Sequence, residues 1–484
     1  MDKIFRRTLF IPIKEYLILS FILYLSLIAR FYKINNPIAD WHSFRQADTA
    51  SVTRFFLNEG VNPLVPIYHD VSTTQSGIFN PNGYRFVEFP IFNIFHLYFY
   101  KIIPSLGFDI VGRLTSIISS LVSTFLIFLI CKKMFNNKIA LMASALYAFL
   151  PYNIYFTRVT LPEPLATTFA LSAIWFFILY LENNSLINLF ISAISFSISL
   201  LIKPYVLFFG VPMFYLAYVK YSLKDLIKAK EFYFWLSIVL LPFIFWRIWM
   251  LKFPEGIPFW KWTFNGDGIR FRPSFWRWIF GERLTSMILG YWGLIPFVFG
   301  IISVKKKQLF SQMFLLGALI YVCIFATANV RHDYYQTIIV PTIVITTAVG
   351  LVEFWNLKNY SKLLTRVLVI FTLIIMIMTS FVQIKEFYKI NRPEIVEAGQ
   401  RADKLLPKDA LVIAPYNGDT AFLYQTKRRG WPVVDRPIDD LIEKGAMYFV
   451  SVDLNHYQTL EFAKRFKIIE SATSYIIIDL TAEK

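Results

Sequence analysis

The sequence predicts a polytopic α-helical membrane protein with a small α/β domain at its carboxyl end. Of its 484 residues, 56% are hydrophobic and only 17% are charged, whereas soluble domains carry about 25% charged residues. Apolar runs long enough to cross a bilayer recur along most of the chain. After residue 384 the pattern changes to short apolar bursts between helix-like stretches, which is typical of a small α/β domain.

About eleven apolar runs approach the length of a transmembrane helix, which needs about 20 residues to cross the hydrocarbon core. They cover residues 15–33, 112–131, 138–157, 163–181, 186–202, 204–219, 232–250, 285–304, 309–328, 336–355 and 365–384. The fifth and sixth runs are short and meet at Lys203, so their common boundary is poorly defined.

Basic residues concentrate mostly in every second loop, and this bias predicts that those loops are cytoplasmic. The set comprises Lys3, Arg6, Arg7, Lys14, Lys132, Lys133, Lys138, Lys220, Lys224, Lys228, Lys230, Lys305, Lys306, Lys307, Lys358, Lys362 and Arg366. The amino end is therefore predicted in the cytoplasm and, after an odd number of spans, the carboxyl end outside. We assign the net charge of +17 to contact with membrane lipid headgroups and expect no nucleic-acid partner.

Two domains are predicted. Residues 1–384 form a transmembrane domain with a long first outer loop at 34–111, and residues 385–484 form an extracytoplasmic α/β domain. In the second domain we expect strands at 410–414, 446–452 and 475–479, and helices at 393–405 and 454–466. Long loops in compact proteins are usually functional, so the loop at 34–111 is a candidate functional region.

The loop at 251–284 is predicted outside although it is rich in Arg and Lys, interleaved with Trp260, Trp262, Trp276 and Trp278. Long loops follow the charge bias less strictly, so the topology stands. Two interpretations remain open: an amphipathic segment on the outer headgroups, or a site for an anionic lipid phosphate.

The first outer loop begins with a dense group of ionisable residues, Asp40, His42, Arg45 and Asp48. Charged groups beside a bilayer need a partner or water, and they are therefore functional candidates. A simpler interpretation is that Asp48 caps a helix at 49–58. Both interpretations place Asp48 at the start of a helix.

Further polar residues lie in the predicted outer turns, while the cytoplasmic loops hold mostly lysines. They are Glu88, Glu163, Lys203, Arg331, His332, Asp333, Tyr334 and Tyr335. Carboxylates can accept a proton from an attacking hydroxyl or amine, and cations and tyrosines can hold a departing phosphate. Because nucleotide sugars are not available outside the cytoplasm, a transferase there needs a lipid-phosphate donor.

The order of these motifs resembles the glycosyltransferase C superfamily, in the branch with protein O-mannosyltransferases and lipid A aminoarabinose transferases. The resemblance covers about residues 10–385 and rests on the segments at 41–50, 87–90, 160–164 and 331–335. It implies an integral-membrane, inverting transferase that uses a polyprenyl-phosphate sugar donor.

The resemblance also implies roles for particular residues. The acid of the first loop is the expected base, which we place at Asp48 with Asp40 as its rival, because Arg45 and Gln46 stand where the family has an adjacent acidic pair. Glu88 and Glu163 are expected to shape the cavity or a metal site. The donor phosphate is assigned to Lys203, Arg331, His332, Tyr334 and Tyr335, with His42, Arg45, Gln46 and Asp333 in support.

The cofactor and the acceptor stay open at this stage. Hard oxygen ligands suit Mg²⁺ or Mn²⁺, and the family varies in its need for a metal. The acceptor is a glycan, a lipid or a protein, and the composition suits a bacterial plasma membrane. Two other functions remain: a lipid or polysaccharide transporter, which would place its charges near the bilayer midplane, and a surface-polysaccharide polymerase or ligase.

Overall fold

A computed structural model describes residues 13–303 and 309–484 of the chain, so that Lys3, Arg6, Arg7 and Lys305, Lys306 and Lys307 lie outside the described residues. The chain divides into two compact units. We call Met1–Ile34, Arg113–Trp246 and Trp260–Glu386 the helical unit, and Asn35–Gly112, Arg247–Phe259 and Phe387–Lys484 the sheet unit. The predicted domains 1–384 and 385–484 stay a prediction.

The first half of the chain is almost entirely helical. Its α-helices are α1 (Ile13–Arg30), α2 (Ser43–Glu59), α3 (Ile91–Ile102), α4 (Phe108–Met134), α5 (Asn137–Phe149), α6 (Pro151–Phe156), α7 (Glu163–Asn183), α8 (Leu186–Ile202), α9 (Gly210–Lys220), α10 (Leu223–Lys228) and α11 (Lys230–Trp249). Proline sets two of the boundaries: Pro151 divides the predicted run 138–157, and Pro204 begins a 3₁₀-helix, Pro204–Phe209, before α9.

The helices of the second half are shorter and more irregular. They are α12 (Trp262–Asn265), α13 (Pro273–Trp276), the π-helix Arg277–Ile288, α14 (Leu294–Ile302), α15 (Phe310–Ile324), α16 (Ala326–Arg331), the 3₁₀-helix Asp333–Ile339, α17 (Val340–Trp355) and α18 (Lys362–Ile384). Shorter 3₁₀-turns occupy Pro104–Leu106, Met250–Lys252, Pro254–Gly256, Ile269–Phe271 and Lys385–Tyr388.

Five helical segments among the described residues are long and apolar enough to cross a membrane, which supports a multi-pass membrane protein. They are Phe108–Met134, Glu163–Asn183, Lys230–Lys252, Asp333–Trp355 and Lys362–Leu405. The predicted number of about eleven spans is not confirmed. Three shorter apolar segments, Leu186–Ile202, Pro204–Lys220 and Phe310–Ile324, also coincide with predicted runs.

The carboxyl-terminal segment forms the small α/β fold that the sequence predicts. It contains α19 (Pro393–Leu405), β1 (Leu411–Ile413), α20 (Ala421–Thr426), β2 (Arg429–Trp431), α21 (Ile438–Glu443), β3 (Ala446–Ser451), α22 (Tyr457–Arg465), β4 (Phe466–Ser471) and β5 (Ile476–Glu483). The strands lie in the order β2-β1-β3-β5-β4. The β2, β1 and β3 strands are parallel, and β5 is antiparallel to both β3 and β4.

The segment at 60–90, in the long loop after α1, packs against this sheet within the sheet unit. Gly430 donates from its amide to the His69 carbonyl and accepts from the Val71 amide, at 2.9 Å in both cases. A Cβ on Gly430, whose φ is 154°, would lie 1.7 Å from the Val412 carbonyl oxygen, so only glycine permits this approach. The loop segment that carries His69 and Asp70 is thereby fixed at the edge of the sheet.

Candidate active site

The helix that carries the first-loop acids begins earlier than the sequence predicts. It starts at Ser43, after His42 in a left-handed conformation with φ of 55° and no side-chain capping bond. Asp48 therefore lies in the second turn, and the prediction that it begins a helix is wrong. Because the helix dipole acts within the first turn, it does not supply the positive potential that was expected at Asp48.

A guanidinium and a hydroxyl surround Asp48 instead. Its side chain is 1% exposed. Arg85 Nη2 donates to Asp48 Oδ2 over 2.6 Å, and Thr420 Oγ1 donates to Asp48 Oδ1 over 2.7 Å. Burial disfavours the charged form of Arg85, but the negative charge of Asp48 raises the pKa of Arg85 above its ordinary value. Asp48 and Arg85 thus form a buried, charge-assisted pair.

Two further ionisable groups lie beside this pair. His69 Nε2 is 3.8 Å from Asp48 Oδ1, and neither ring nitrogen of His69 has a hydrogen-bond partner among the described residues. Burial lowers the pKa of His69 well below its ordinary value, so the ring is neutral. Burial also raises the pKa of Asp70 to about 6, although the Ser72 amide donates to Asp70 Oδ1 over 2.8 Å.

The remaining first-loop candidates form two separate contacts. Gln46 Nε2 donates to Asp40 Oδ1 over 2.7 Å, and both side chains are buried. Arg45 forms a hydrogen-bonded ion pair with Glu88. Arg45 and Gln46 stand where the family has an adjacent acidic pair. They bind two of the predicted acidic site residues, Glu88 and Asp40.

The carboxyl-terminal segment contributes a carboxylate that sequence reasoning missed. Ser43 Oγ donates to Asp419 Oδ2 over 3.4 Å, and the Ala421 amide donates to Asp419 Oδ1 over 2.7 Å. Burial, together with the charge of Asp48, raises the pKa of Asp419 to about 6. No local motif marks Asp419 and Thr420, because their partners lie near the other end of the chain.

The helical unit contains a second group of candidates around a buried ion pair. Lys203 Nζ lies 2.9 Å from Glu163 Oε1. Apart from this ion pair, the Glu163 carboxylate has no hydrogen-bond partner among the described residues. The Lys203 ammonium is also 5.7 Å from the ring centre of Tyr205 and 5.9 Å from that of Tyr335. The buried Lys203–Glu163 charge pair with its neighbouring aromatic rings is thus a polar centre inside the helical unit.

The segment at 331–335 lies against this pair through Tyr335. The Tyr334 and Tyr335 rings stack with centres 4.6 Å apart, and the His332 ring is 5.5 Å from Tyr334. Asp333 points to a different partner, with Asp333 Oδ2 3.8 Å from Arg283 Nη1. Asp333 therefore pairs with an arginine outside its own motif.

Arg331 is the most exposed of the donor-phosphate candidates, with 59% of its side chain accessible. Arg331 Nη2 is 3.9 Å from Asp267 Oδ2, and its guanidinium lies 5.8 Å from the ring centre of Trp262. The same Trp262 ring is 5.7 Å from the His332 ring. Trp262, in the loop at 251–284, thus contacts both Arg331 and His332.

The described residues do not offer a metal site. No group of three or more His, Cys, Asp or Glu side chains in 13–303 and 309–484 is arranged to hold an ion. Glu163 faces a lysine and Glu88 faces an arginine, so neither presents the set of oxygen ligands that Mg²⁺ or Mn²⁺ requires.

The fold of this chain is similar to the folds of several solved structures. The crystal structure of ArnT from Cupriavidus metallidurans bound to undecaprenyl phosphate matches with a TM-score of 0.66 at 9% sequence identity, over 95% of this chain and 97% of that one. This match confirms at the level of the fold the resemblance that the motifs predict.

Other comparisons agree with this fold. The archaeal oligosaccharyltransferase AglB from Archaeoglobus fulgidus, in complex with an inhibitory peptide and a dolichol-phosphate, matches with a TM-score of 0.58 at 9% identity, over 97% of this chain and 76% of that one. A structure of the Archaeoglobus fulgidus oligosaccharyltransferase in complex with Zn and sulfate matches with a TM-score of 0.55 at 11% identity, over 96% and 75% of the two chains.

The sequence itself gives a shorter match. Residues 90–249 match the family model of dolichyl-phosphate-mannose-protein mannosyltransferase. A search of the curated proteins finds no match. The matched residues include α7, α8 and α9, and hence both Glu163 and Lys203.

Proposed function

We propose that the protein is an integral-membrane glycosyltransferase. In this proposal it moves a hexosyl or pentosyl group from a polyprenyl-phosphate donor to a glycan, lipid or protein acceptor at the outer face of a bacterial plasma membrane. The observation that carries the proposal is the buried Lys203–Glu163 pair, with Lys203 Nζ and Glu163 Oε1 2.9 Å apart. An ionisable pair inside a membrane bundle is costly to bury, and such pairs commonly serve ligand binding.

In this proposal Lys203 binds the donor phosphate. A phosphate oxygen would accept a further hydrogen bond from the ammonium while Glu163 keeps its own contact, and the hydroxyls of Tyr334 and Tyr335 would donate further hydrogen bonds. Such charge-assisted contacts strengthen as negative charge develops on the leaving phosphate, so they lower the barrier as well as hold the donor. Arg331 and His332 add positive charge or donors near the same two tyrosines.

The chemical step is an inverting displacement at the anomeric carbon of the sugar. The acceptor hydroxyl or amine forms a new bond to that carbon, the bond from the carbon to the phosphate oxygen breaks, and polyprenyl phosphate departs. The proton of the acceptor passes to a carboxylate, for which Asp48 is the proposed base and Asp40 its rival. Arg85 and Thr420 hold Asp48 in one orientation, as a general base requires.

The sidedness belongs to the proposal as well. The positive-inside pattern supports a cytoplasmic amino end and an extracytoplasmic carboxyl end. Labelling of single cysteines introduced at Lys358 and at Lys484 with a membrane-impermeant reagent tests this topology. Labelling of the second site alone in intact cells is expected, and labelling of the first site alone would contradict it.

Deletion of the gene tests the reaction class. The deletion strain is expected to lose one sugar from an envelope component and to accumulate one polyprenyl-phosphate sugar, both measured by mass spectrometry. The wild-type gene restores the sugar, and the Asp48→Asn, Glu88→Gln double variant does not. Restoration by that variant at normal protein abundance would favour a transporter, and an unchanged envelope together with unchanged lipids would overturn the proposal.

A further inference from the structure

A cavity in the helical unit lies between α11 and neighbouring parts of the bundle. It has a volume of about 400 Å³ and is lined by α7, α8, α9, α10 and α11 and by the 3₁₀-helix that precedes α9. Its walls include Phe177, Phe196, Met213, Phe232, Trp235 and Val239, and none of the lining side chains is charged. Apolar cavities of this kind do not hold water well, and they bind apolar molecules instead.

α11 contacts the bundle through aromatic side chains beside this cavity and presents much of its apolar surface outward. Only 17% of the apolar stretch of Lys230–Lys252 is buried, against 78% for Glu163–Asn183. Trp235 connects α11 to the bundle, with its Nε1 donating to Ser192 Oγ over 3.2 Å and its ring 5.8 Å from Phe196. The cavity lies beside these contacts, along the apolar face of α11.

The short helix α10 gives this cavity a positively charged rim. Leu223, Leu226 and Ile227 of α10 line the cavity, and Lys224 and Lys228 on the same helix are exposed. The acid of this helix, Asp225, is engaged locally, because Ser222 Oγ donates to Asp225 Oδ2 over 2.6 Å. An apolar cavity beside exposed lysines is complementary to a lipid with hydrocarbon chains and an anionic headgroup.

The rim lies far from the lysine that we assign to the donor. Lys203 precedes the segment Pro204–Lys220, and α10 follows that segment. Six 3₁₀ residues and eleven α-helical residues extend over roughly 30 Å. The predicted cytoplasmic position of Lys224 and Lys228 also separates the rim from the outer-face chemistry.

We propose that this cavity binds one acyl chain of an anionic phospholipid, whose phosphate is held by Lys224 and Lys228. The site is distinct from the donor site, and its ligand class is a diacyl phospholipid of the cytoplasmic leaflet. Bound lipid would fill the space that α8, α9 and α11 leave open between them.

Native mass spectrometry of the purified full-length chain tests this site. The protein in detergent is titrated with phosphatidylglycerol, with phosphatidylcholine and with undecaprenyl phosphate. Tight binding of one phosphatidylglycerol is expected. The Lys224→Gln, Lys228→Gln double variant should bind it roughly thirtyfold more weakly at low salt, since each surface lysine contributes a modest attraction to anionic lipid. The matched control, Lys358→Gln with Lys362→Gln, should bind it as the wild type does.

A second pair of variants tests the cavity itself. Leu236→Trp fills the cavity from a lining position and should abolish phosphatidylglycerol binding, whereas Leu241→Trp, on α11 but outside the lining, should not. Equal binding of phosphatidylcholine, an unchanged affinity of the double lysine variant, or retention of lipid by Leu236→Trp would overturn the proposal. Displacement of phosphatidylglycerol by equimolar undecaprenyl phosphate would also overturn it, because the occupant would then be a polyprenyl chain.

Discussion

Thr420 donates a hydrogen bond to Asp48, with 2.7 Å between Thr420 Oγ1 and Asp48 Oδ1, although the two residues are 372 positions apart in the sequence. The contact joins the loop after β1 to the helix that carries the proposed base. Asp419, next to Thr420, contacts Ser43 at the start of the same helix. The carboxyl-terminal segment therefore contributes to the environment of Asp48.

Thr420→Val should lower the transfer rate roughly tenfold, because it leaves Asp48 Oδ1 without its hydroxyl donor while it keeps the side-chain shape. Thr420→Ser, which retains the hydroxyl, is the matched control and should restore most of the rate. Transfer rates and thermal unfolding are measured for both variants. Equal rates for the valine and serine variants at equal stability would show that the hydrogen bond does not serve the reaction.

Arg85→Met should destabilise the sheet unit by about 3–5 kcal/mol, because it leaves the buried Asp48 carboxylate without its cation. Asp48→Asn in the Arg85→Met background should recover much of this loss, since the uncompensated charge is gone. Chemical or thermal unfolding of the two single variants and the double variant gives the coupling free energy. Additive losses would contradict a direct Arg85–Asp48 interaction.

Single and double variants of the Lys203–Glu163 pair distinguish its contribution to stability from its contribution to donor binding. Lys203→Met alone should destabilise the helical unit, since Glu163 then stays buried without its ammonium. Lys203→Met with Glu163→Gln should fold with near-normal stability but bind undecaprenyl phosphate at least tenfold more weakly than the wild type. Normal binding by the stable double variant would show that the pair is purely structural.

The raised pKa of Asp419 predicts that the stability of the folded chain depends on pH. Burial raises the pKa of Asp419 from its ordinary value of 3.8 to about 6, so between these values the folded chain binds more protons than the unfolded chain. The contribution of Asp419 to stability is therefore present below pH 3.8 and lost as pH rises to about 6, by up to roughly 3 kcal/mol. Asp419→Asn should remove this contribution to the slope.

Thermal unfolding between pH 4.5 and 6.5 measures the effect, as the difference between the wild type and Asp419→Asn. Glu470→Gln is the control, because hydrogen bonds from Arg401 and Tyr475 lower the pKa of Glu470 to about 2 and move its titration below this range. Part of the slope should remain in Asp419→Asn, because burial also raises the pKa of Asp70 to about 6. An undiminished slope in Asp419→Asn would contradict the assignment to Asp419.

Local patterns in the sequence predict much of the fold, because an apolar run or a helical period depends on neighbouring residues. The helix at 393–405 has the predicted bounds, and the predicted strands at 410–414, 446–452 and 475–479 correspond to β1, β3 and β5. The β2 and β4 strands were missed. The first has only three residues around Gly430, and the second alternates buried and exposed side chains directly after α22 without a turn.

The candidate site was less accessible to prediction, since its contacts join distant segments. The sequence predicts Asp48, Lys203 and Glu163 as candidate site residues. It does not predict that Arg85 and Thr420 bind Asp48, or that Lys203 and Glu163 form an ion pair. The start of α2 was misplaced because Ser43 follows His42, which makes no capping bond, so the usual signal is absent. The roles of these residues stay predictions.

The central claim is that the protein consumes a polyprenyl-phosphate sugar. Purified full-length protein is incubated with the lipid extract and the envelope fraction of the deletion strain, and polyprenyl-phosphate sugar, polyprenyl phosphate and glycosylated acceptor are measured by mass spectrometry. The wild type should convert the lipid-linked sugar to polyprenyl phosphate and glycosylate the acceptor in equal amounts, and Asp48→Asn should be slower by a factor of about 10²–10⁴. An unchanged pool of lipid-linked sugar with the folded wild-type protein would contradict the account.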